Sequence, residues 1–233
     1  MSYRSIALAA LAALAAAAVL PAHADTLAQW NFNDSNLIVD VGAGTAALVG
    51  GTATSGFNSG AGSTDPTQPG IGWSISSFAA QGTGNRQRGA SFTVSTLGFE
   101  DITFAYDMRH SNTASGYEVV QYSTDGVTFF DMAAIATLNP SGQTPFFSRT
   151  VDLSGNSGAN NTGALTVRVV SSFGPGGSYA SSAVGSNYGT TGTWRFDMVT
   201  ISGTEIAAVP EPGTTALLLA GLAAIGFIAR RRA

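Results

Sequence analysis

Three stretches of this chain alternate with a period of two, and that alternation constrains the fold more than any other feature of the sequence. Ile102, Phe104, Tyr106 and Met108 share one side, while Thr103, Ala105, Asp107 and Arg109 take the other. Leu165, Val167 and Val169 alternate in the same way with Thr166, Arg168 and Val170, and Trp194, Phe196 and Met198 with Arg195, Asp197 and Val199. Successive side chains of an extended strand point to opposite faces, so each run packs one face on a core and turns the other outward. Helical periodicity is nearly absent from the interior of the chain. Half-buried strands of this kind belong to antiparallel sheets with one solvated face.

Tyr117 to Met132 reads as a hairpin, because Asp125-Gly126 supplies a positive-φ pair for a tight turn and apolar residues flank it on both sides. Further strands are expected at Leu27 to Phe32, Leu37 to Val41, Thr45 to Val49, Ala90 to Thr96 and Phe146 to Leu153. Some nine or ten short strands with Gly-rich connections predict an all-β fold, an antiparallel two-sheet sandwich of the jelly-roll kind. A single closed barrel is the competing architecture. Two long connections interrupt the pattern: Gly50 to Arg88, which holds Trp73 and Phe78, and Phe173 to Thr193, which holds Tyr179 and Tyr188. Loops of this length are commonly functional or disordered, and their aromatics argue for order.

Both ends of the chain stand apart from this pattern. Arg4, the apolar run Ile6 to Leu20 and Ala22-His23-Ala24 have the layout of a secretory signal peptide, with signal peptidase cutting after Ala24. At the other end, Pro210-Glu211-Pro212 precedes an uncharged apolar run from Gly213 to Ala229 and then Arg230, Arg231 and Arg232. A helix over that run spans roughly 25 Å, a marginal length for the hydrocarbon core, and the arginines should stay cytoplasmic. The expected organisation is a signal peptide over 1–24, a sandwich domain over 25–208, and a sorting segment with a transmembrane helix over 209–233. An ordinary single-pass anchor is the other reading of the tail.

Between the two ends the chain is rich in Gly, Ser, Thr and Asn and carries thirteen carboxylates against six arginines, without a lysine. A net charge of −7 there disfavours nucleic-acid binding, which needs Lys and Arg to displace phosphate counterions. No cysteine is present, so an exported domain must be stabilised by its core or by a bound metal rather than by disulfides.

Chemistry-bearing residues are few. Asp107 to Ser115 contains His110, the single histidine beyond the signal peptide, beside Arg109 and Asn112 at a strand end. Such a cluster has the donors to bind a sugar or a carboxylate; equally, the charges pair with neighbours and Asn112 and Thr113 cap a turn. A general acid–base site wants the histidine oriented by a second group and close to a nucleophile, and nothing at readable spacing supplies one. Trp73, Tyr179 and Tyr188, on loops, are candidates to stack on sugar rings, while Trp30 and Trp194 belong to strand patterns and to the core.

The tail resembles the PEP-CTERM sorting signal of Gram-negative bacteria, in which Pro-Glu-Pro, an apolar helix and a basic cluster follow in this order. The resemblance implies recognition by a membrane-embedded exosortase, transient residence in the inner membrane, removal of the tail, and a final place at the cell surface, outer envelope or extracellular matrix, often beside exopolysaccharide and biofilm. Gln81 to Asn85, Phe99 to Ser115 with its RHSNTAS, the QYSTDG hairpin from Gln121 and GTWRFDMVTISG from Gly192 are similar to a family of exported β-sandwich domains found in PEP-CTERM proteins and beside secreted nucleases. The opening Trp30 to Asp34 and the closing Phe196 to Val199 resemble the first and last strands of jelly-roll carbohydrate-binding modules, which share a structural calcium. That resemblance implies calcium at Asn33, Asp34 and Asp197, oxygen donors of the kind calcium takes; a turn and a surface carboxylate explain the same residues. The expected function is that of a non-enzymatic surface or matrix protein. A carbohydrate-binding module and, third, a secreted hydrolase using Asp107 and His110 are the alternatives.

Overall fold

The computed structural model describes residues 24–139, 144–207, 221–223 and 227–231. Twelve strands among these residues form two antiparallel sheets: β1 (Ala24–Trp30), β2 (Val41–Gly42), β3 (Gly44–Val49), β4 (Ala53–Ser59), β5 (Ile71–Ser76), β6 (Gly89–Val94), β7 (Phe99–His110), β8 (Tyr117–Ser123), β9 (Phe130–Ala136), β10 (Phe146–Asp152), β11 (Leu165–Ser171) and β12 (Trp194–Glu205). The larger sheet runs β10-β7-β12-β1-β2, with β5 also on β12 and β4 on β5; the smaller runs β3-β6-β11-β8-β9. Their facing sides enclose one core, so the all-β two-sheet sandwich expected from the alternation is what forms.

The core is built around Phe92 of β6. Its ring lies 5.2 Å from Trp30, 6.4 Å from Trp73, 6.0 Å from Phe104 and 6.0 Å from Phe196, so one residue of the smaller sheet touches four strands of the larger. Ile102, Phe104, Tyr106 and Met108 of β7 all face inward, as do Leu165, Val167 and Val169 of β11. Trp30, Trp73 and Trp194 are completely buried.

Four local expectations are corrected. Gly50 to Arg88 is not one long loop, since β4 and β5 lie within it and pair along Ala53 to Ser76. Of Leu37 to Val41 only Val41 lies in a strand, the two-residue β2. The Asp125-Gly126 turn is wider than a two-residue hairpin: residues 124–129 connect β8 to β9, and only Gly126 of the pair has positive φ. Asp125 holds this loop by accepting the Val127 and Thr128 backbone N–H groups, which lowers its carboxyl far below the ordinary carboxylate range. Finally, Met198 does not share the core face of Trp194 and Phe196. It takes positive φ (44°) at a bulge where β12 shifts register against β7 between Asp197 and Thr200, and beyond it Val199 and Ile201 point inward instead. One extra residue in a strand reverses the parity of everything after it.

That bulge divides β12 functionally. Before it, Trp194 to Phe196 pair with β5; after it, Val199 to Thr204 pair with β1, while β7 follows β12 along both parts. The half before the bulge, on its outer face, carries the charged residues described next.

Candidate functional site

On the outer face of the larger sheet, β7 and β12 set like charges directly opposite one another in two successive rows. Arg195 pairs with Arg109, and Asp197 with Asp107. The inward partners Trp194, Phe196, Met108 and His110 are buried, which forces the residues between them outward by strand parity. The arginine row borders a cleft of about 90 Å³ lined by Arg109, Ser111, Thr144, Thr193 and Arg195. Arg109 donates from Nε and Nη2 to Thr144 Oγ1 at 2.9 and 2.6 Å. Arg195 donates from Nε to Ser74 Oγ at 2.9 Å and from Nη1 to the Ser59 carbonyl at 2.8 Å. A side chain at Gly72 would lie 2.9 Å from Cγ of Arg195, so glycine there leaves room for the arginine stem. Burial, and then the neighbouring Arg109 charge, lower the Arg195 pKa.

The aspartate row is covered by residues 60–70. Thr64 donates to Asp107 Oδ2 from its backbone and its hydroxyl, Ser63 Oγ donates to Asp197 Oδ2 at 2.7 Å, and the Met198 N–H donates to Asp197 Oδ1 at 2.8 Å. Asp65 joins them from the covering loop and accepts from Asn33 Nδ2 at 2.8 Å. Asp197 is fully buried, and its pKa rises from 3.8 to about 7, first through desolvation and further through the charges of Asp65 and Asp107.

His110 lies on the opposite side of the sheet from Asp107. Its Nε2 is 3.1 Å from Glu118 Oε2, and Tyr106 donates its hydroxyl to Glu118 Oε1 at 3.0 Å. The side chains of His110 and Glu118 are 1% and 0% exposed, the imidazole stacks on Trp194 at 5.3 Å, and Arg149 Nε stands 3.7 Å from Glu118 Oε1. Burial and the adjacent carboxylate push the Tyr106 hydroxyl well above its usual pKa. This is a network between the two sheets, closed to any polymeric substrate. The Asp107 and His110 pairing expected for a hydrolase is not assembled, because odd and even positions of one strand project to opposite faces.

The remaining sequence candidates fall in different places. Trp73 sits in β5 rather than in a loop, is buried, and donates its indole N–H to Thr54 Oγ1 at 2.9 Å, so it offers no face to a sugar. Tyr179 and Tyr188 stack on each other at 4.7 Å and donate their hydroxyls to the carbonyls of Gly84 and Ala79, fastening the 173–193 segment to the turn at 79–84. Gln81 holds the Tyr179 backbone from both sides, accepting its N–H and donating to its carbonyl. Asn112 is half-buried with its Oδ1 unpartnered. Of the calcium trio, Asn33 uses its amide on Asp65 and the Ile71 N–H, Asp34 is exposed on a turn, and the acidic groups that gather around Asp197 are Asp65 and Asp107. Among the described residues no group of three or more His, Cys, Asp or Glu side chains is arranged to hold a metal. Ala24 begins β1 opposite Thr204, and Arg230 and Arg231 lie in a short helical stretch; Ala22, Pro210, Glu211, Pro212 and Arg232 fall outside the described residues. Among the described residues no helix is long and apolar enough to cross a membrane.

Arg195, Ser111, Thr144 and Thr193 were not legible as site residues. The available signal was the pair of strings Asp107-Met108-Arg109 and Arg195-Phe196-Asp197, mirror images that antiparallel pairing brings together.

A β-sandwich with a polar outer-face cleft is the class that fold and site define. Residues 208–232 match the PEP-CTERM protein-sorting motif, so the chain is an exported protein bearing that signal. Among solved structures, the CBM22-1–GH10 modules of the Clostridium thermocellum endo-1,4-beta-D-xylanase 10B, complexed with xylohexaose, are similar at 12% identity and a TM-score of 0.43, over 76% of this chain and 28% of that one. The K3 cleaved adhesin domain of Lys-gingipain from Porphyromonas gingivalis matches at 13% identity and 0.40, over 76% and 98%. TmCBM61, in complex with beta-1,4-galactotriose, matches at 8% identity and 0.39, over 73% and 92%. This chain thus spans about a quarter of the xylanase structure but nearly all of the other two. No curated protein matches it.

Proposed function

We propose that residues 25–208 form a non-catalytic cell-surface or extracellular-matrix protein, freed from its sorting tail by an exosortase and contributing adhesion within exopolysaccharide. The observation that carries this reading is the burial of His110 and Glu118 between the sheets, away from Asp107, in a chain that bears a sorting motif. The purified 25–208 fragment is expected to release no reducing sugar, ester or nucleotide product from polymeric substrates. Hydrolysis that His110→Ala abolishes while the fold persists would defeat the reading.

Processing is tested separately. Pro210 and Pro212 are the two prolines of the sorting motif ahead of the apolar run, and proline restricts its own φ and disfavours a helical residue before it. Changing both to alanine is expected to leave the full-length precursor in the inner membrane on fractionation. Normal maturation of that variant would favour a plain single-pass anchor.

Carbohydrate binding is the second reading, favoured by the cleft where two guanidinium groups and three hydroxyls converge on the outer face. Such groups fix the orientation of a sugar through hydrogen bonds.

A further inference from the structure

We propose that the cleft between β7 and β12 is an oxyanion site, in which Arg109 and Arg195 take a carboxylate or sulfate group carried by an extracellular acidic polysaccharide. The polymeric source of the anion rests on the carbohydrate-binding reading above; the anion site itself rests on the geometry of the two arginines.

Like charges directly opposite in a sheet are destabilising, and here the sheet places guanidinium against guanidinium. Among the described residues neither forms an ion pair with a carboxylate, whereas Arg86 pairs with Asp131 and Arg149 approaches Glu118. The carboxylates of Asp107 and Asp197, one row along, form no ion pair with either guanidinium. Their oxygens accept instead from Thr64, Ser63 and the Met198 N–H beneath the 60–70 loop, and burial raises the Asp197 pKa.

The guanidinium groups are also held in place before any ligand arrives. Each has five N–H donors, and Thr144, Ser74 and the Ser59 carbonyl occupy only some of them. Nη1 of Arg109 and Nη2 of Arg195 have no acceptor among the described residues. Ser111 Oγ accepts the Thr193 N–H at 2.8 Å, so its own hydroxyl hydrogen is available at the cleft wall. A paired set of fixed forks suits a planar or tetrahedral oxyanion, whose oxygens accept several N–H groups at once. At about 90 Å³ the cleft exceeds several-fold the roughly 10–15 Å³ that one water requires. It accommodates the charged substituent of a sugar, with the polymer running across the surface outside. The net charge of −7 over the body repels a polyanion in bulk, so attraction has to come from this local positive site.

Three polymers with one backbone separate the outcomes: dextran, carboxymethyl-dextran and dextran sulfate in affinity gels, run with the 25–208 protein. A fourth arm titrates sodium glucuronate and sodium sulfate while following the arginine Nε–H resonances by NMR. Retardation by one or both charged polymers and not by dextran is expected, and which one retards identifies carboxylate or sulfate as the source. Arg109→Gln and Arg195→Gln should each weaken binding by about tenfold or more, with unchanged or higher melting temperatures because a like-charge pair is removed. Arg195→Lys tests the fork, since an ammonium keeps the charge without the bidentate geometry, and it should bind more weakly than wild type. Equal retardation by neutral dextran, or full binding by folded Arg→Gln variants, would overturn the anion assignment and leave carbohydrate binding standing. Arginine shifts with free glucuronate or sulfate but no polymer retardation would uphold the anion site and defeat its polymeric source. No arginine shift and no retardation would overturn the proposal outright.

Discussion

Phe92→Ala is expected to lower the unfolding free energy by roughly 3–5 kcal/mol, the range for truncating a buried aromatic. Phe92 is the one residue of the smaller sheet whose ring meets Trp30, Trp73, Phe104 and Phe196 together, and it is fully buried. Removing it deletes the apolar surface that joins the two sheets and leaves a cavity walled by four large rings on an extended sheet, which cannot easily close over the gap. With total stabilities of about 5–15 kcal/mol for domains in general, the variant should sit close to the edge of folding. Urea denaturation is the measurement: the midpoint should fall sharply with little change in slope. A loss below about 1 kcal/mol would mean that the sheets do not meet through this residue.

Asp197→Asn is expected to stabilise the protein at pH 8 by up to about 4 kcal/mol, the free-energy equivalent of a pKa moved from 3.8 to about 7. The sign follows from proton counting. Between about pH 4 and pH 7 the folded protein keeps the Asp197 proton while the unfolded chain releases it, so stability falls as pH rises through that window and levels off above it. Below pH 4 both states hold the proton and the cost vanishes. The variant has no such group, so the gap between the two proteins should open across the same window and be nearly closed at pH 4. Thermal melts at a series of pH values read this directly. A parallel series with calcium and with chelator adds a second readout: a calcium-dependent gain in wild type that the variant lacks would support a structural ion that involves Asp197.

Much of the fold was legible because strand parity is written locally. Each of β7 and β11 shows its core face in four to seven consecutive residues, and no knowledge of neighbours is needed to read it. β4 was hidden because ATSGFNS is small and polar, whereas β5 does alternate, Ile71, Trp73 and Ile75 with Gly72, Ser74 and Ser76, but it is embedded in a Gly-, Ser- and Thr-rich stretch that reads as a connection. Trp73 was consequently read as a loop aromatic facing sugar. Tyr179 and Tyr188 do lie in an irregular segment, but their hydroxyls reach carbonyls of the 79–84 turn, a contact between stretches far apart in sequence. Arg109 was recognisable as a polar strand-end residue. Its partner Arg195 was not, because nothing in either string says whether the mirror-image triplets pair like with like or like with unlike.

By itself the sequence determined that the protein is exported, that it is all β, and which positions of β7, of β11 and of β12 as far as Phe196 face the core. These are properties of contiguous residues: a sorting motif, a composition, a two-residue period. Only the tertiary structure decided the register that sets Arg109 beside Arg195 and Asp107 beside Asp197, the bulge at Met198 that reverses parity beyond it, and the burial of His110 against Glu118. Register and bulge position are relations between distant strands, chosen by the packing of the whole aromatic core around Phe92. Two opposed like-charge pairs are tolerated on the outer face because the inner face of the same two strands, with Trp194, Phe196, Tyr106 and Met108 buried, fixes the alignment first.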